Sequence, residues 1–65
     1  MTLQVVIEKV KYIDSIKGDD ESAHSHEDEL HEAVLKEVAN GNPEAQEMAV
    51  EALKTIDIDF ARWCA

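Results

Sequence analysis

Read as apolar and polar positions, the chain falls into three segments, each with a helical repeat. Leu3, Val6, Ile7, Val10, Ile13 and Ile16 recur at three- and four-residue intervals between Thr2 and Lys17, and Gly18 is placed to end a helix there. Most of these residues are β-branched, which favours extended backbone, so a strand over Leu3 to Glu8 is the competing reading. Its partner would be Ile56-Asp57-Ile58-Asp59-Phe60, where apolar residues alternate with aspartates. The stripe persists past three turns, and helix is therefore the preferred expectation for residues 3–16.

After a polar connection over residues 18–25, the helical repeat resumes from about His26 to Ala39. Leu30, Ala33, Val34 and Val38 share one face, and Ser22 or Ser25 is positioned to cap the start. Asn40-Gly41 is a stop signal. Asn42 then offers a cap for a helix that Pro43 begins, with Ala45, Met48, Ala49, Ala52, Leu53 and Ile56 as its apolar stripe. The second and third segments thus form a helical hairpin. A short terminal helix, capped by Asp57 or Asp59, is expected to anchor through Phe60, Trp63 and Cys64. The predicted fold is one domain over residues 1–65, an all-α bundle of three to four helices, with a minor two-stranded element as the alternative. Its core is drawn from Leu3, Val6, Ile7, Val10, Ile13, Leu30, Val34, Val38, Met48, Ala49, Ala52, Leu53, Ile56 and Phe60.

Length limits this picture, since 65 residues bury only about 60 % of their unfolded surface and hold a thin core. A single cysteine, Cys64, excludes an internal disulfide and fits a reducing, cytoplasmic setting. The opening residues lack a basic leader and a small-residue cleavage site, and no stretch reaches transmembrane length, so no membrane partner is expected.

Charge changes the picture most. Fifteen acidic residues against six basic ones give a formal net charge of -9. Such a surface repels nucleic acid and anionic membranes and attracts basic partners. Asp19, Asp20, Glu21, Glu27, Asp28, Glu29 and Glu32 follow one another without a lysine or arginine, and Glu37, Glu44, Glu47 and Glu51 extend the run against Lys36 alone. Lys9, Lys11 and Lys17 are confined to the first segment. Carboxylates three or four residues apart on a helix lie about 5–6 Å apart along its axis, close to the spacing of phosphates along a strand. The expected binding residues are therefore Asp19, Asp20, Glu21, Asp28, Glu29, Glu32, Glu44, Glu47 and Glu51, on two helices that would present parallel rows of charge.

Other chemistry is weaker. His24, His26 and His31 stand among carboxylates, and a metal-responsive module is one reading of them. His26 and His31 are five residues apart, however, and would point about 140° away from each other on a helix. Asp14, Asp19, Asp20 and Glu21 surround Gly18 without the alternate-position ligands of a calcium loop. No nucleophile–base pattern is recognisable, and a domain of this size rarely builds a water-excluding pocket, so no catalysis, cofactor or metal is expected.

In size, charge and compactness the whole chain resembles small phage-encoded inhibitors, particularly anti-CRISPR proteins. That resemblance implies a DNA mimic acting in the host cytoplasm, as monomer or homodimer. Its target would be a basic nucleic-acid-binding groove such as that of a CRISPR surveillance complex. It involves no shared motif and assigns no residues. The alternative is a helical adaptor or antitoxin-like subunit that docks through apolar surface around Phe60 and Trp63.

Overall fold

The computed structural model describes residues 1–62, and they form three α-helices and a short 3-10 turn with no strand among the described residues. Helix α1 spans Leu3–Ser15, α2 spans Asp20–Ala39, and α3 spans Ala45–Leu53, followed by a 3-10 segment, Lys54–Asp57. The first segment is helix throughout, which removes the two-stranded alternative. Its β-branched residues are tolerated because packing of one apolar face outweighs a weak propensity. Thr2 caps α1, its hydroxyl accepting from the Val5 N–H at 3.2 Å.

Helix α2 starts six residues earlier than the hydrophobic repeat suggested. Asp19, not Ser22 or Ser25, is the cap: its carboxylate accepts from the Ser22 N–H, and Asp20 and Glu21 fill the first turn, where the helix dipole favours negative charge. The other end closes as a Schellman motif. Gly41 sits at φ 76°, the Gly41 N–H donates to the Val38 carbonyl, and the Asn42 N–H reaches back to that of Glu37. Asn42 acts one turn ahead of α3: its side-chain oxygen accepts from the Glu44 N–H at 2.8 Å, so Pro43 and Glu44 form a turn and the helix proper begins at Ala45.

Each helix packs against the other two. At about 1.5 Å per residue the 20 residues of α2 run nearly the full 34 Å of the molecule's long axis. The core is Val6, Ile13, Ala23, Leu30, Val34, Met48, Ala52 and Phe60, with Leu3, Val10, Ile16, Ala49 and Ile58 packed partly buried around it. Three expected core residues, Val38, Leu53 and Ile56, are instead exposed. For Ile56 the reason is a change of period. Where α3 tightens to 3-10 geometry, the repeat shortens towards three residues per turn, so Thr55 turns inward and Ile56 outward.

The expected terminal helix is absent from the described residues. Beyond the 3-10 turn the backbone is extended at Ile58 (ψ 128°), and the chain folds back to bury Phe60. The Ala61 N–H donates to an Asp20 carboxylate oxygen at 3.1 Å, which fixes this return against the start of α2. Trp63 and Cys64 lie outside the described residues.

Candidate functional site

Two features of the surface depend on how α2 and α3 lie together: the carboxylates they expose and the seam between them. Helix α2 buries Ala23, Glu27, Leu30 and Val34. At about 100° per residue, Glu21, Asp28 and Glu32 cluster on the side facing away from that stripe, and Glu29 flanks them. All four are exposed. On α3, Glu44, Glu47 and Glu51 also share a flank. Glu44 and Glu47 are exposed, and Glu51 is partly covered and held by Lys54, whose ammonium donates to both of its oxygens at 2.9 Å.

Four of the expected binding residues also have partners within the fold. Asp19 caps α2 and Asp20 holds the Ala61 amide, although both remain exposed. Asp28 lies 3.4 Å from His24 Nε2, and Glu32 lies 3.8 Å from the Lys36 ammonium. The two rows do not run side by side. Helix α3 turns Ala49 and Leu53 towards α2, which meets them with His31, Val34 and Leu35, so a shallow apolar groove separates the rows. The α3 carboxylates lie on the flank away from that groove.

Glu27, part of the acidic run in sequence, belongs to the interior. It is 4 % exposed and is met side-on by Arg62: Nε donates to Oε1 at 2.7 Å and Nη2 to Oε2 at 3.0 Å. The same guanidinium donates to the carbonyls of Thr55, Ile58 and Phe60 and stacks 3.9 Å from the Phe60 ring centroid. Burial alone would push the Glu27 carboxyl up. The Arg62 hydrogen bonds and the charges of Arg62 and His31 outweigh it and hold the group below its ordinary value. Arg62 is raised in turn, chiefly through its bond to Glu27. Thr55, fully buried, donates its hydroxyl to the Ala52 carbonyl at 3.0 Å. Its oxygen is left to accept from His31 Nε2 at 2.9 Å, which fits an imidazole carrying hydrogen on that nitrogen.

The three histidines are dispersed. His31 is committed to this network, and His24 faces Asp28. The His26 ring meets Tyr12 edge-on, with centroids 5.1 Å apart. Among the described residues no group of three or more histidine, cysteine or acidic side chains is arranged to hold a metal ion. Phe60 is buried in the core, and Trp63 lies outside the described residues. No helix is long and apolar enough to cross a membrane among the described residues.

No protein-family model matches this chain, and no curated protein or solved structure shows significant similarity to it. The functional reading therefore rests on this surface alone.

Proposed function

We propose that the protein is a non-enzymatic acidic binding module that occupies the basic, nucleic-acid-binding surface of a partner protein, in the manner of a DNA-mimicking inhibitor. One observation carries this reading: the outward side of α2 exposes Glu21, Asp28, Glu29 and Glu32, with Lys36 paired to Glu32 and Lys9 lining a pocket with Glu29, on a chain of net charge -9. Solubility of a small domain asks for a net charge of only about 2–8 with both signs interspersed. Association would be fast, weakened by salt and competitive with nucleic acid.

The test is affinity capture of nucleic-acid-binding complexes on the immobilised protein, CRISPR surveillance complexes included, eluted by a salt ladder with duplex DNA as competitor. Elution at moderate salt together with displacement by DNA is the expected result. Capture that ignores both salt and DNA would overturn the reading. Glu44→Lys, Glu47→Lys and Glu51→Lys combined assign the second row: if α3 takes part, the triple variant loses binding with the helical spectrum intact. Unchanged affinity removes α3 and leaves the α2 side as the contact.

A further inference from the structure

The groove between α2 and α3 is the other feature that solubility does not explain. Leu35 is 68 % exposed and Leu53 57 %, and both line it beside Val34, Ala49 and Ala52. Val38, one turn beyond Leu35, and Val50 and Ile56, one turn to either side of Leu53, are also more than half exposed. A small domain with so thin a core leaves large aliphatic side chains bare on two adjacent ridges when something else covers them.

From the exposed ridges and the charge around them we infer that this groove receives a basic amphipathic helix of the partner. Length fits. His31 to Val38 spans seven residues, or about 10.5 Å, the rise between the i and i+7 anchors of a docked helix. Charge decides the occupant. Asp28 and Glu32 border the groove on α2, and the two lysines nearby, Lys36 and Lys54, are already engaged with Glu32 and Glu51. A second copy of this chain would bring another net charge of -9 to an acidic rim, which disfavours self-association. Lysines or arginines along the α2 side of a partner helix would meet Asp28 and Glu32 there. The inference rests on the proposed basic partner but places a separate, apolar contact beside the charged one.

The probe is a labelled helical peptide of leucine and lysine with leucines at i, i+3, i+4 and i+7. It is compared with a scrambled peptide of the same composition and with a leucine–glutamate counterpart. Binding is read by anisotropy and by amide shifts of the full chain. The expected result is preference for the patterned basic peptide, shifts centred on Leu35 and Leu53, and at least about tenfold weaker binding in Leu35→Ser with Leu53→Ser. Both positions are exposed, so this variant should keep its fold, as circular dichroism will report.

Equal binding of the scrambled peptide, with shifts confined to Glu21 and Glu29, would overturn the groove while sparing the acidic-module reading. Absence of binding by every basic peptide at low salt would overturn both. Concentration-dependent self-association lost in the double variant would overturn the inference in favour of a second copy.

Discussion

The seam between α2 and the α3 end of the chain has two halves with opposite surfaces. Towards the start of α2 it is closed by the returning tail: Phe60 is buried, and Arg62 fills the space between Glu27 and the carbonyls of Thr55, Ile58 and Phe60. Towards the end of α2 the same two helices leave Leu35 and Leu53 bare. The closed half buries charge and the open half exposes hydrocarbon, the reverse of what residue type alone would assign. A thin-cored domain holds its chain end by a satisfied ion pair, and the apolar surface left over is free for a partner.

Arg62→Ala should produce the largest effect on the closed half. It strands a buried carboxylate and frees three carbonyls, and losing one member of a buried pair costs about 3–5 kcal/mol. Arg62 is itself only about two-thirds covered, which argues for the lower end of that range. A domain of this size has only a few kcal/mol in hand, so extensive unfolding at ordinary temperature is expected in a urea or thermal melt. A drop under about 1 kcal/mol would show that the pair is solvated and holds little.

Acid should act on the same pair. Glu27 is held below its ordinary value of 4.5, so below that pH the unfolded chain takes up its proton first and stability falls as the folded carboxyl follows. The surface carboxylates complicate the melt, because protonating them relieves repulsion over the same range. Glu27→Gln separates the two. It should cost on the order of 2 kcal/mol at neutral pH, where it weakens a buried charged hydrogen bond, and much less at low pH. Parallel pH profiles for the two proteins would remove Glu27 from the acid response.

A smaller loss is expected from Thr55→Val, which keeps the side chain's shape but deletes the hydroxyl between His31 and the Ala52 carbonyl. His31 still lies 3.2 Å from that carbonyl, so the cost should be about 1 kcal/mol by urea titration.

The closed half was harder to read from sequence than the helices, for identifiable reasons. Periodicity located all three helices and the buried Val6, Ile13, Leu30, Val34, Met48 and Ala52, because their spacing is local information. It places the start of α2 late, since Ala23 is the one apolar residue among residues 20–25 and only the Asp19 cap marks that end. Glu27 was counted with the acidic surface although it stands four residues after Ala23 and three before Leu30, on the buried stripe. A charged residue at an inward position was the available signal that a partner must exist. Nothing local named Arg62, which comes from 35 residues away. The inward turn of Thr55 depended on α3 tightening, a change of period that no propensity marks.

The open half should answer in the opposite sense. Leu35→Ser and Leu53→Ser remove large apolar groups, and inside a core each would cost several kcal/mol. Here both side chains already stand more than half in water, so truncation forfeits little burial and leaves no cavity. Leu35 lies well inside α2, where serine is a slightly poorer helix former, and Leu53 ends α3, where propensity matters less. Each single variant should therefore melt within about 0.5 kcal/mol of the parent. A loss near 2 kcal/mol would mean that the groove closes on these leucines in solution, leaving no apolar surface free for a partner helix. Unchanged stability alongside the collapse of Arg62→Ala would establish that one seam carries two separate jobs, holding the chain end in one half and presenting a surface in the other.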